Sequence, residues 1–113
     1  MGFHAGMLGR HRVTVLDQGP EVRSDVGQPV RAWVDREGRN ACVEDLSAHM
    51  TYMAAMAGSR ATTKVTLSAP LDIRPIVNAL RFVYRGRTRI LVVVEVRDGA
   101  SPDYLEAYCT EVA

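Results

Sequence analysis

The chain has 113 residues, of which 47% are hydrophobic and 24% charged, and its formal net charge is +1 at pH 7. This length suits one domain with a single modest core, and the near-zero charge gives no bulk electrostatic attraction to nucleic acid. The longest apolar runs, such as residues 90–94, are far too short to span a membrane. The first residues lack the charged start and apolar segment of a signal peptide, so we expect an intracellular origin.

The first third of the chain predicts a flexible arm followed by two strands. Residues 1–10 contain glycines at 2, 6 and 9 and are expected to form the arm. Residues 11–16 alternate apolar and polar side chains, which predicts a strand. Residues 17–28 are polar and contain Gly and Pro, which predicts a loop or a long hairpin connection. Residues 29–34 predict the second strand, whose Trp33 is expected to anchor the core.

The middle of the chain predicts two further strands around an unusual segment. Residues 36–40 are polar with a central Gly and predict a turn, and residues 41–46 predict a third strand. Residues 62–68 are β-branched and alternating and predict a fourth strand. Residues 70–79 contain two prolines and predict a short helical turn from Pro75.

The segment 47–59 is rich in methionine and contains no Asp, Glu, Lys or Arg. Ser47 is a plausible N-cap, and the methionines at 50, 53 and 56 recur every three residues, which predicts one or two helical turns that Gly58 would end. A charge-free segment between polar strands must be core, a partner surface or a mobile apolar loop.

The last third of the chain gives the clearest local signal. The β-rich runs 80–84 and 87–96 are joined by the two-residue turn Arg85-Gly86, which predicts a hairpin. Residues 90–94 are apolar on both faces, so that strand must be covered on both sides, by a helix or by a neighbouring subunit. Residues 104–112 predict a final strand. Six or seven short strands favour a mainly β fold, a small antiparallel barrel or sandwich with a loop or short-helix insertion.

The residue pattern offers no convincing catalytic or metal-binding set. His4, His11 and His49 have no metal-ligand partner at helix or strand spacing, so we expect structural or solvent-exposed roles for them. Cys42 and Cys109 lie in strand-like segments without a CxxC motif, which favours buried free thiols over a disulfide or a metal site. We expect neither an enzyme nor a cofactor.

The predicted hairpin carries basic and aromatic residues that allow two interpretations. Small barrels bind single-stranded nucleic acid by combining a basic groove with stacking aromatics, which would make the protein a nucleic-acid-binding module. The alternative is that Phe82 and Tyr84 face the core while the arginines are solvated, and the near-neutral total charge favours it. The other hairpin residues at issue are Arg81, Arg85, Arg87 and Arg89.

Several short motifs, in this order along nearly the whole chain, resemble those of a known family. They are Arg-His-Arg-Val-Thr-Val at 10–15, Gly-Gln-Pro-Val at 27–30 with Trp33 downstream, Tyr-Arg-Gly-Arg at 84–87 leading into Ile90, and the closing strand with Cys109. The resemblance is to the head-tail joining proteins of long-tailed phages. These are also called head completion or stopper proteins, and gene transfer agents carry relatives of them.

The resemblance implies a small β-barrel protomer, residues 11–113, that assembles as a homo-oligomeric ring in the virion neck, after synthesis in the host cytoplasm. Its implied partners are the portal and adaptor ring proteins, a tail terminator or tail completion protein, and the packaged double-stranded DNA. In the family, a loop inserted between strands projects into the channel and helps to retain DNA. The matching insertion here, residues 47–60, is more apolar than is common in relatives. A tail-terminator or adaptor ring protein is an alternative within the same machine.

These considerations give three sets of candidate residues. Methionine-rich loops converging on an axis could bury one another and close a channel, while a weakly charged lining would let DNA slide. The channel-loop candidates are His49, Met50, Tyr52, Met53 and Met56, and the candidates for DNA contact are Arg60 and Lys64. The candidates for barrel or subunit packing are Ile90, Val92, Val94 and Trp33.

Overall fold

A computed structural model describes residues 10–23, 29–56, 58, 60–99 and 101–112. The predicted arm at residues 1–10 therefore lies, except for Arg10, outside the described residues. Within the described part, no helix is long and apolar enough to cross a bilayer. The described elements, in chain order, are β1 (His11–Arg23), β2 (Pro29–Asp45), α1 (Ala48–Met56), β3 (Thr63–Ser68), β4 (Asn78–Tyr84), β5 (Arg87–Asp98) and β6 (Tyr104–Val112).

The strands form a closed antiparallel barrel in the order β1-β2-β3-β6-β5-β4. Each of the six neighbouring pairs is antiparallel, and β1 closes the sheet by pairing with both β2 and β4. Closure leaves no free edge along the paired stretches, which is how small β domains avoid edge-to-edge association. The mainly β class with a short helical insertion is confirmed, and the barrel is the alternative that the chain adopts.

The core fills the barrel with side chains from alternating positions of the strands. Leu91 and Val93 on β5, for example, are fully buried, while the residues between and beside them point outward and are half-buried. The core cluster consists of Val13, Val15, Ala41, Val65, Leu67, Ile73, Leu80, Phe82, Leu91, Val93, Leu105, Ala107 and Cys109. Both cysteines are buried and free, which confirms that prediction.

The prediction that Trp33 anchors the core is wrong. Trp33 is only half-buried and is not among the core residues. It pairs with Gln18 in the part of β2 that lies beyond the last pairing between β1 and β4, at Asp17 and Asn78. A two-stranded ribbon has no enclosed interior, so a large side chain there cannot enter the barrel.

The prediction of a loop at 17–28 is wrong for its first half, because β1 continues to Arg23. Gly19 sits in this extension where a Cβ atom would come within 2.8 Å of Val34 Cγ2 and 2.9 Å of the Ala32 carbonyl oxygen. This glycine therefore permits close approach of two strands instead of breaking one. Residues 24–28 lie outside the described residues. We refer to residues 18–23 and 29–33, which pair only with each other among the described strands, as the β1–β2 arm.

The turn predicted at 36–40 is also wrong, because β2 runs without a break from Pro29 to Asp45. Gly38 pairs with Thr14 in the middle of this strand. The guanidinium of Arg12 lies against Gly38, and its Nη1 donates to Asn40 Oδ1 at 3.0 Å. A polar, glycine-containing run is thus held as a strand by its partner β1, which is a tertiary effect that local propensity does not reveal.

Three other local predictions are confirmed: the hairpin turn, the helix and the last strand. Arg85 and Gly86 join β4 to β5 with φ values of +52° and +77°, the paired positive angles of a tight hairpin turn. The helix lies within the methionine-rich segment, residues 75–77 form a turn, and the last strand has the predicted bounds.

The two ends of the barrel differ. At one end β2 leads into α1, and α1 leads back into β3, so the helix lies at this end. The β1–β2 arm extends beyond the opposite end. That second end is filled by the segment before β4, where Ile73 is 93% buried and Leu71 and Ala69 pack against the core. The chain is therefore organised along the barrel axis, with a helix at one end and a ribbon at the other.

Candidate functional site

Helix α1 leaves and rejoins the barrel through a narrow neck. The Leu46 amide donates to the Thr62 carbonyl oxygen at 2.9 Å, and the Thr62 amide donates to the Cys109 carbonyl oxygen at 2.8 Å. These two bonds fix the flanks of the insertion 47–60 against each other and against β6. The insertion is therefore an addition to a barrel whose ladders are complete without it.

The ends of α1 are capped as its sequence predicts. Ser47 Oγ accepts a hydrogen bond from the Met50 amide at 3.2 Å, and the Ser47 carbonyl oxygen accepts from the Thr51 amide at 2.9 Å. At the other end the Gly58 amide donates to the Ala55 carbonyl oxygen at 3.0 Å, with Gly58 at φ +87°. An N-cap serine and a left-handed glycine satisfy backbone groups that a nine-residue helix would otherwise leave open.

The large side chains of α1 point away from the barrel. Met50, Tyr52, Met53 and Met56 are 54%, 62%, 51% and 71% exposed, whereas Thr51 is half-buried. At 100° per residue, these side chains and the exposed His49 occupy one side of the helix, and Thr51 lies opposite. We call His49, Met50, Tyr52, Met53 and Met56 the exposed helix face. An exposed apolar surface of this kind on a small protein makes the helix a candidate site of interaction.

A polar cluster closes the barrel at the end where α1 lies. The Arg89 side chain, only 15% exposed, forms ion pairs with Asp45 and Glu111, each at 2.7 Å. Thr63 Oγ1 also donates to Asp45 Oδ1, at 3.2 Å. The hydrogen bond from Arg89 lowers the pKa of Asp45, and the bonds to Asp45 and Glu111 raise the pKa of Arg89. The end of the barrel at which α1 lies is therefore lined by paired charges.

An open cleft of about 660 Å³ runs along the outside of β5 and β6. Ile90, Val92 and Val94 all point outward and are half-buried, and the last two line this cleft. The other lining residues are Gly58, Arg60, Ile76, Glu95 and Thr110. Among the described residues, the apolar run at 90–94 is thus covered by the core on its inner face only.

Ile76 is the residue of this cleft that sequence reasoning missed. It is 70% exposed and has φ +70°, and its amide donates to the Val93 carbonyl oxygen at 2.7 Å, which fixes it beside β5. A β-branched residue is strongly disfavoured at positive φ, so no local signal in the sequence predicts this placement.

The phage head completion protein family model matches residues 8–112 of the chain. The chain belongs to this family. The solution structure of protein SF1141 from Shigella flexneri 2a is similar in fold, with a TM-score of 0.72 at 20% identity over 98% of each chain. No curated protein sequence matches the chain.

Membership of the head completion family fixes the broad role of the protein. The family is structural and non-enzymatic. Its members act as virion components in contact with other phage head or tail proteins. The suspected family is therefore confirmed, and the exposed helix face is a candidate for one of these contacts.

His11 and the two cysteines of this head completion protein have structural surroundings. His11 Nδ1 accepts a hydrogen bond from the Val43 amide at 3.0 Å, and its ring meets Phe82 edge-on at 5.0 Å. Burial, and then the charge of Arg10, lower the pKa of His11, which keeps the ring neutral. Burial raises the pKa of the Cys109 thiol to about 12. Among the described residues there is no cluster of His, Cys, Asp and Glu that could hold a metal, and His4 lies outside them.

The two residues predicted to contact DNA are in different surroundings. Lys64 Nζ forms an ion pair with Glu106 at 2.8 Å on the barrel wall, and the hydrogen bond to Glu106 raises the pKa of Lys64. Arg60 is exposed beside the exit of α1 and lines the cleft. Arg60 therefore lies near helix α1, whereas Lys64 is paired with the carboxylate of Glu106.

The arginines of the hairpin are largely neutralised by carboxylates. Arg81 makes a bidentate contact with Asp35 at 2.9 and 2.7 Å, and Arg87 lies 3.5 Å from Glu111. Arg89 belongs to the polar cluster with Asp45 and Glu111, whereas the guanidinium of Arg85 lies over the Tyr84 ring at 5.2 Å. Phe82 is buried, as the solvated-arginine interpretation requires, but Tyr84 is 48% exposed, so the prediction that it faces the core is wrong. This pairing disfavours the hairpin as a nucleic-acid groove.

Proposed function

We propose that this protein is a ring component of the phage-type head-to-tail connector that closes the DNA exit channel after packaging and offers a docking surface for the tail. The observation that supports this most directly is the exposed helix face. It belongs to an insertion held by the Leu46–Thr62 hydrogen bond, and it has no cover within the described part of the protomer.

The chemistry of the helix suits a reversible seal. Several copies around an axis would bury each other's methionine and tyrosine side chains, with a gain of about 25 cal/mol for each Å² removed from water. Methionine adapts its shape to irregular neighbours, so the same residues could repack when the channel opens. Because α1 carries no charged residue, it adds no phosphate contact that would hold DNA permanently.

The axial organisation of the barrel supports a position between two neighbouring assemblies. The helix lies at one end of the barrel and the β1–β2 arm at the other. In the proposed neck, the arm end would offer strands and exposed side chains such as Val34 to the adjoining component. The helix end would then be free to reach the channel.

Deletion of residues 49–57 tests the proposal. The neck bond between Leu46 and Thr62 remains, so we expect a folded protein that still joins particles, and particles that release their DNA. A variant with Met50, Met53 and Met56 all changed to Leu is the matched control, because it keeps the helix apolar and should retain DNA. Normal genome retention by assembled deletion particles would refute the sealing role.

The position in the neck is tested separately by a cryo-EM map of the particle. The proposal requires density for the barrel between the portal-adaptor complex and the tail. A ring directly on the portal would identify an adaptor protein instead, and a ring on the tail tube would identify a tail-terminator protein.

A further inference from the structure

The cleft on the outside of β5 is an apolar surface without a partner in the described protomer. Val92 and Val94 line it from the strand, and Ile76, 70% exposed, lines it from the segment before β4. The solvent face of an antiparallel strand is ordinarily polar. Apolar residues in this position require cover from outside the barrel.

The same chain carries a second apolar surface of matching character, the exposed helix face. Its four large apolar side chains are each more than half exposed. The helix carries no Asp, Glu, Lys or Arg, and flexible methionine side chains fit irregular grooves between β-branched residues such as those of the cleft. The two surfaces are complementary in chemistry.

Two charged residues that line the cleft complement the ends of the helix. The cleft is lined by one cation, Arg60, and one anion, Glu95, whose carboxylate also accepts from Arg97 Nε at 3.0 Å. Helix α1 has no acidic residue in its first turn and no basic residue in its last turn, so its own sequence leaves the helix dipole uncompensated. In a helix lying in the cleft with its N-terminus towards Glu95 and its C-terminus towards Arg60, each end of the helix dipole would face a side chain of opposite charge.

We propose that the cleft receives helix α1 of a second copy of this chain. In the protomer, Gly58 and Arg60 follow α1 directly and form part of the wall of the cleft, yet the large side chains of the adjacent helix stay exposed, with Met56 at 71%. Helix and cleft therefore lie side by side, and the described residues of the protomer cover neither of them. Because the two surfaces differ, each copy donates one helix and accepts another, a head-to-tail contact that closes into a ring when the rotation allows.

This contact specifies how copies associate in the proposed ring, and in that respect it rests on the proposed function. It leaves part of the exposed helix face available for the channel. Met50 and Tyr52 lie about 160° apart around the helix, since each residue advances by about 100°. One cleft cannot enclose both edges of so wide a face, so one edge would contact the neighbouring barrel and the other would face the axis.

Disulfide trapping between two differently tagged full-length chains tests the proposal. One chain carries Met53→Cys and the other Val94→Cys, and the two are mixed at high concentration with the mild oxidant diamide. The native thiols of Cys42 and Cys109 are buried, so they do not compete. The matched control replaces Val94→Cys with Val83→Cys, an outward position on β4 that is 55% exposed and away from the cleft.

We expect the Met53→Cys and Val94→Cys pair to form a mixed dimer in several-fold higher yield than the control pair. Adding Glu95→Lys to the acceptor chain should lower that yield several-fold. Equal yields for the two pairs would overturn the proposal. So would a chain carrying both cysteines that forms only an internal disulfide, because the helix would then cover its own cleft. These results are independent of genome retention by the 49–57 deletion, so failure of this contact and failure of the sealing role are distinguishable.

Discussion

Replacing Met50, Met53 and Met56 together with Gln separates the stability of the protomer from the function of the helix. Each methionine is at least 51% exposed, so its removal should not open a cavity. Met and Gln also have similar helix propensities. We expect the free energy of unfolding of the monomer to stay within about 0.5 kcal/mol of the wild-type value, the usual range for surface substitutions.

The same substitution should strongly weaken association. Full burial of a Met side chain contributes about 1.5–3 kcal/mol. Because these side chains are between 51% and 71% exposed in the protomer, their burial between copies adds on the order of 1 kcal/mol per methionine, or about 3 kcal/mol per copy. A loss of this size in every copy should abolish the seal while leaving the barrel intact.

Two assays measure the two halves of this prediction. Urea denaturation of the purified protein gives the free energy of unfolding, with Leu91→Ala as a positive control, because loss of a fully buried leucine costs about 2–5 kcal/mol. Nuclease sensitivity of the DNA in assembled particles measures retention. Destabilisation of the triple Gln variant by more than about 1 kcal/mol would show that the methionines pack within the protomer, and unchanged retention would show that they do not seal the channel.

Three further predictions concern the barrel itself. The pKa of Asp45 is lowered in the folded state, chiefly by the hydrogen bond from Arg89. The ionised Asp45 carboxylate therefore stabilises the fold fully above the ordinary aspartate pKa of 3.8, and this stabilisation disappears as the pH falls through the lower pKa of the folded state. Urea denaturation of the wild type and of Asp45→Asn at pH 7 and pH 3 should therefore show a smaller loss of stability on acidification for the variant. Gly99→Ala should destabilise by about 1–3 kcal/mol, since its Cβ would lie 2.8 Å from the Tyr104 carbonyl oxygen. Gly38→Ala should cost less than Gly99→Ala in thermal denaturation, because its Cβ would meet only the mobile end of Arg12. Cys109 should react with a thiol reagent at pH 8 only after unfolding, because it is buried and its pKa is raised to about 12; reaction at the rate of a free thiol would contradict its burial.

The sequence predicts those elements whose structure is determined by nearby residues. The hairpin between β4 and β5 follows from the two-residue turn at 85–86, and α1 follows from its N-cap at Ser47 and the glycine at 58. In both cases the residues that determine the backbone lie within the element or directly beside it. Such local chemistry is visible in one chain without an alignment.

The errors arise where a distant strand decides the conformation. Gly19 and Gly38 resemble breaks in the sequence, but they lie in strands because the partner strand needs space beside them. Trp33 is a large apolar residue of the kind expected in a core, but it lies in the β1–β2 arm, beyond the enclosed part of the barrel. The cleft beside Ile76 combines β5, β6 and two connecting segments, so its existence depends on the closed fold.

The single amide-to-carbonyl bond between Leu46 and Thr62 has an evolutionary consequence. Because this bond joins the two flanks of the insertion, residues 47–60 can change or be replaced while the barrel keeps its structure. In the proposed sealing role, selection on DNA retention can then proceed at a different pace from selection on folding, and grafts from related viruses should be accepted at this junction.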